Sequence, residues 1–138
     1  MIFIQRKLAN YLQAKSDYIA GMATYSDGSR HLVAAGGYYI QGQPIYDINT
    51  WIYDLDLGID QWRPGPDIPI ERASSVQFKD SFLVVGGGLN EFPYDETNQI
   101  WQFNADASDE RWILRPETMK RPKYWAAAFL VPNDYATC

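Results

Sequence analysis

The chain has 138 residues, 46% of them hydrophobic, with a formal charge of −5 at neutral pH and one cysteine. That length and apolar content suit one cored domain, and the acidic balance, with no Lys/Arg cluster, argues against nucleic acid or an anionic membrane as the main partner. No run approaches the roughly 18 to 20 apolar residues that span a bilayer; a lone Cys138 leaves no internal disulfide and is compatible with a cytoplasmic setting.

At the N-terminus, Arg6 and Lys7 follow a very short apolar stretch, the wrong order for a signal peptide. Residues 1–17 carry no glycine pair; they read as the remnant of a preceding structural unit, with a short helix over about Gln5 to Gln13 as the rival reading. Ile19 to Tyr25 is a small-residue strand, closed by the polar turn Ser26-Asp27-Gly28-Ser29. The next strand, Leu32-Val33-Ala34-Ala35, runs into Gly36-Gly37. An uninterrupted apolar run ended by glycine suits a strand buried on both faces, and the glycines permit a backbone turn that a Cβ would forbid. The loop that follows, Tyr38 to Asp47, holds Tyr38, Tyr39, Gln43 and Tyr46. Tyrosine in a loop offers wide contact area at low entropic cost, which makes these residues candidates for binding; packing of Tyr38 and Tyr46 on a neighbouring unit is the alternative. Thr50 to Leu55 then sets Trp51 and Tyr53 on one strand face, and a short strand around Trp62 leaves through Pro64-Gly65-Pro66-Asp67-Ile68-Pro69.

The same text is then written again. Ala73 to Phe78 repeats the small-residue strand, Phe82-Leu83-Val84-Val85 runs into Gly86-Gly87, and Gln99 to Phe103 and Trp112 repeat the aromatic strands. Gly86 lies 50 residues after Gly36, as do Trp101 after Trp51, Phe103 after Tyr53 and Trp112 after Trp62. A period of about 50 points to propeller blades or solenoid repeats. Each unit comprises four short antiparallel strands, a to d. The second long loop, between b and c, holds Asn90, Phe92 and Tyr94 as further binding candidates. Many of the acids fall in the c–d turns (Asp54, Asp56, Asp60; Asp106, Asp109, Glu110), where they are expected to solvate and protect an outer edge.

The apolar run with Gly36-Gly37 and Gly86-Gly87, the c-strand aromatics Tyr53 and Phe103 and the d-strand Trp62 and Trp112 resemble the kelch repeat over about residues 18 to 131. The resemblance implies an all-β fold: two four-stranded propeller blades, at 18–69 and 70–119, with 120–138 supplying a closing innermost strand from Tyr124 to Val131 and a tail. It departs from the pattern in two places. The step of nine positions from c-strand aromatic to d-strand tryptophan makes a long link that invites a bulge, and the first a strand is preceded by Lys15-Ser16-Asp17 where an arginine is usual. Arg72 holds that place in the second unit. In such a blade the b–c and d–a connections share one face, so Arg72 and Arg121 join the tyrosine loops there; by resemblance they pair a partner's carboxylates, and the alternative is a hydrogen bond between blades.

Little supports catalysis. His31 is the single histidine and begins a core strand, so no catalytic triad or multi-histidine metal site assembles around it, and no cofactor is expected. The four repeated tryptophans, Trp51, Trp62, Trp101 and Trp112, of the five in the chain, are read as packing residues. Two functions fit: a protein-interaction module using the b–c and d–a face, or a piece of a propeller enzyme or sugar-binding protein, like galactose oxidase or a kelch-type sugar epimerase, with its active site in other blades. Closed propellers use four to eight blades, so further blades or self-association are expected to complete the ring.

Overall fold

The computed structural model describes residues 18–89, 96–124 and 127–131, the side chains of Tyr39, Ile40, Gln43, Pro44 and Leu89 excepted. In chain order its strands are β1 (Ile19–Thr24), β2 (Arg30–Ala35), β3 (Tyr38–Gln41), β4 (Gln43–Tyr46), β5 (Thr50–Asp54) and β6 (Trp62–Gly65). The second copy supplies β7 (Ile70–Glu71), β8 (Ser74–Phe78), β9 (Ser81–Val85), β10 (Gly88–Leu89), β11 (Gln99–Asn104) and β12 (Arg111–Thr118). The fold is all-β. Two four-stranded antiparallel sheets have the orders β1-β2-β5-β6 and β8-β9-β11-β12, each a meander of strands a to d, and two small ribbons, β3-β4 and β7-β10, stand beside them.

Period-two alternation assigns the faces. In the first sheet, Gly21, Val33, Ile52 and Arg63 are register partners on one face, and Met22, Leu32, Tyr53 and Trp62 on the other. The first set turns toward the second sheet, whose Phe82, Val84, Phe103 and Trp112 form one buried cluster with Ile19, Ala23, Val33, Ala35 and Ile52. Gly21 is required at that contact: a Cβ there would lie 2.2 Å from Cγ of the buried Phe82 ring. Phe82 and Phe103 both meet Trp112 edge to face, at centroid distances of 5.7 and 5.2 Å. The Trp112 indole donates across the gap to Thr50 Oγ1 (3.2 Å) and the Pro66 carbonyl (3.0 Å). Along the inner edge, Ser75 Oγ and Gln77 Nε2 donate to the carbonyls of Ala20 and Met22 at 2.7 and 2.9 Å.

Several expectations change on meeting the structure. Of the two c–d hairpins expected to bulge, the first is regular from Thr50↔Gly65 to Tyr53↔Trp62, and the second carries an irregularity, between Gln99 and Trp101 at the end of β11–β12 away from its turn. The first b–c connection is no open loop but the hairpin β3-β4, turned at Gly42 (φ 76°). Residues 127–131, part of the predicted closing strand, form no strand, and Phe129 is 76% exposed; strand register needs a neighbour to pair with, and none is offered among the described residues. The two sheets close no ring or barrel among the described residues. The predicted remnant at 1–17 lies outside them. Among the described residues no helix is long and apolar enough to cross a membrane.

Candidate functional site

The glycine pairs build one rim of the molecule. Gly36 and Gly37 (φ 68° and 93°) and Gly86 and Gly87 (φ 70° and 88°) all take left-handed backbone, turning the chain out of each b strand. The turns are tied down identically: Gly36 N–H to the Asn49 carbonyl and Asp47 N–H to that of Gly37, then Gly86 N–H to Gln99 and Thr97 N–H to Gly87. In the second copy the b–c connection pairs with the d–a connection, Gly88↔Glu71 and Leu89↔Ile70, so both lie on this rim as the strand order requires.

Arg72 follows Glu71 with φ 53°, a conformation uncommon outside glycine. Its guanidinium donates to the Tyr46 hydroxyl. The guanidinium carbon lies 4.4 Å from the Tyr46 ring centroid and 5.4 Å from that of Tyr124, within cation–π range of both. Tyr38, opposite Tyr46 in the β3-β4 hairpin, extends the aromatic surface at 5.8 Å between centroids. Tyr124 arrives because the chain after β12 folds back: the Gly87 N–H donates to the Lys123 carbonyl at 2.7 Å, and the Tyr124 ring occupies the space a Cβ on Gly88 would fill.

Glu71 lies beneath, 1% exposed, and among the described residues neither carboxylate oxygen has a hydrogen-bond partner. Arg72 Nη2 stands 3.8 Å from its Oε1, near enough for charge attraction but too far for a hydrogen bond. Burial therefore dominates and pushes the Glu71 carboxyl up to about 7.

The opposite rim, at the a–b and c–d turns, is different in kind. Glu110 accepts from the Tyr25 hydroxyl and from both terminal nitrogens of Arg63. Burial raises Glu110, yet the Arg63 and Tyr25 hydrogen bonds and the Arg63 charge outweigh it and hold the carboxyl below its ordinary value. Burial, with the same carboxylate beside it, pushes the Tyr25 hydroxyl up. His31 Nε2 lies 3.0 Å from Asp54 Oδ2, and Arg30 grips Asp56 in a fork, its guanidinium bond being the main cause that brings that carboxyl down to about 2. The c–d acids thus do more than solvate an edge: Glu110 joins the two sheets. Among the described residues no group of three or more histidines, cysteines and acids is placed to hold a metal ion.

Of the binding candidates, the structure brings Tyr38, Tyr46 and Arg72 together. Arg121 stands exposed on the returning segment. Tyr39 and Gln43 belong to the hairpin strands, and their side chains, like all of Asn90, Phe92 and Tyr94, lie outside the described part. Tyr53, Phe103 and Trp112 are buried motif residues, and Trp62 is half-buried. Sequence reasoning missed Glu71 and Tyr124: the first has as its only signal an acid between Ile70 and the rim arginine, and the second was assigned to a strand. No protein-family model matches the chain, and no curated protein is significantly similar to it.

Proposed function

We propose that the two sheets are kelch-type propeller blades and that the chain is a protein-interaction module whose partner binds the rim formed by the b–c and d–a connections. The observation that carries this reading is the placing of Arg72, on left-handed backbone, between Tyr46 and Tyr124 from two other segments of chain. Aromatic rings and an arginine are the residue types that dominate binding energy at protein interfaces. A guanidinium in this setting selects a planar anion such as a carboxylate. The left-handed glycine pairs, the a–d meanders and the repeated tryptophans support the blade reading; its function follows from the rim and not from the fold.

The experiment is affinity capture with the whole chain, comparing wild type, Tyr46→Ala, Arg72→Gly and, on the other rim, Asp56→Ala. Glycine at 72 keeps the left-handed backbone and removes only the side chain. Partners lost from the first two variants and kept by the third support the rim; partners indifferent to Tyr46 and Arg72 rule it out.

A further inference from the structure

One nitrogen on the glycine rim stands between two acceptors. Arg72 Nη2 donates to the Tyr46 hydroxyl, and the same Nη2 lies 3.8 Å from Glu71 Oε1. That separation is about 1 Å longer than a charge-assisted hydrogen bond. The Glu71 side chain is 1% exposed and that of Arg72 15%, so little water screens the pair.

Glu71 itself has little room to adjust. Its backbone is paired to β10 through Gly88↔Glu71, and Gly87 packs so closely that a Cβ there would lie 2.3 Å from the Glu71 carbonyl oxygen. The Arg72 guanidinium ends a long side chain, and its contacts include a neutral hydroxyl and two ring faces. Neighbouring segments bring other titratable or charged groups to this part of the rim. They are Tyr46 at the end of β4 and Asp47 after it, Glu96, which bridges to Gly88, and Lys123 and Tyr124 on the returning segment. Asp47 Oδ1 accepts from the Asn49 amide. Among the described residues none of these groups hydrogen-bonds to the Glu71 carboxyl, and Arg72 is the cation within ion-pair distance of it.

We propose that the proton on Glu71 gates the rim. With Glu71 protonated, Arg72 stays with Tyr46 and Tyr124 and offers its charge to a partner's carboxylate; once Glu71 ionises, the guanidinium turns inward to it and the rim loses its anion. The gate rests on the carboxylate reading of the rim given above. A neutral carboxyl competes weakly for Nη2, whereas an ionised one makes a hydrogen bond roughly twice as strong as a neutral acceptor does. A buried carboxylate left without such a bond is costly, so its ionisation supplies the force that moves Arg72. Burial brings that ionisation to about 7, which sets the gate across neutral pH. Glu71 is protonated below that value and ionised above it, so affinity for an anion falls as pH rises through the transition. Linkage requires the reverse effect: an anion seated on Arg72 draws a proton from solvent onto Glu71.

The test is a pH titration of the full chain by NMR, with isotope labels at the glutamate carboxyls and in the arginine side chains. Glu71→Gln and Arg72→Gly identify the two signals by their loss. In wild type the Arg72 Nε signal and the Tyr46 ring signals are expected to move together with the Glu71 carboxyl, at one midpoint of about 7, and to stand still in Glu71→Gln. Tyr46→Phe removes the competing hydroxyl and should lower that midpoint. Benzoate, a planar carboxylate that stays ionised throughout, is the probe of the rim. Its Kd for wild type should rise at least about fivefold across the transition, and for Glu71→Gln it should keep the low-pH wild-type value. An Arg72 signal indifferent to the ionisation of Glu71 in wild type overturns the gate, whether or not the variants fold. Benzoate bound equally well on both sides of the midpoint overturns it too. Benzoate that binds at no pH, while Arg72 follows Glu71, supports the inward turn of Arg72 and refutes instead the carboxylate reading of the rim.

Discussion

Trp62 and Trp112 hold the same place in two copies of one strand pattern, yet Trp112 is buried against the first sheet while Trp62 is only half-buried beside Tyr53, their ring centroids 5.3 Å apart. The difference lies in the stack and not in the strand: the second sheet has the first to lean on. Equal sequence therefore does not mean equal energy, and the same holds between the rims. At the c–d rim Glu110 satisfies Arg63 and Tyr25, whereas at the opposite rim Glu71 is buried with no hydrogen bond among the described residues. One rim fastens the sheets; the other holds a strained arginine and an unsettled carboxylate, features that gather where function is carried.

The largest test of this contrast is Trp112→Ala, expected to cost about 3–5 kcal/mol in urea unfolding by the core-aromatic range. Trp62→Ala is expected to cost about 1–2 kcal/mol in dilute solution because less of it leaves water on folding. Equal costs would contradict the assignment of faces.

The rims are separated by pH. Glu71 has a folded-state value raised to about 7 from 4.5, so the native state binds the extra proton between those values. Its contribution is fully present below pH 4.5 and is lost as pH rises to 7, on the order of 3 kcal/mol at about 1.4 kcal/mol per unit. Glu110 and Asp54 are depressed, so their contributions are present above their unfolded values and are lost on acidification. Stability is thus expected to peak near about pH 5. Glu71→Gln should flatten the neutral limb and leave the acid limb; unfolding curves across pH with no neutral slope in wild type would refute this account of Glu71.

Gly21→Val should cost about 2 kcal/mol by overpacking against Phe82. Adding Phe82→Leu shortens the opposing side chain and should recover most of that loss, and a double-mutant cycle measures the coupling. The smallest effect is expected from Glu110→Gln, about 0.5–1 kcal/mol, since the Arg63 side chain is 43% exposed and solvent screens it. A larger loss in low salt than in high salt would confirm that charge carries it.

Much of this was legible in the chain. Apolar runs ending at Gly36-Gly37 and Gly86-Gly87, and aromatics at a constant spacing, located all eight strands of the two sheets, because strand periodicity and left-handed glycine turns are local properties. The sharing of one rim by the b–c and d–a connections followed from strand order alone. The rim's membership did not: Tyr38, Tyr46 and Arg72 stood among the candidates, but Glu71 and Tyr124 meet them only through chain reversal after β12 and through β7-β10 pairing, contacts that no local pattern encodes.

By itself, then, the sequence determined the repeat, the strand faces and the glycine turns, since each depends on a few neighbouring residues and the alternation of side chains. Only tertiary structure decided which copy of each face is buried, which c–d acid became the bond between sheets and which carboxyl lost its partners. Burial, and with it the shift of Glu71 and the unequal weight of two like tryptophans, is set by what lies across the gap.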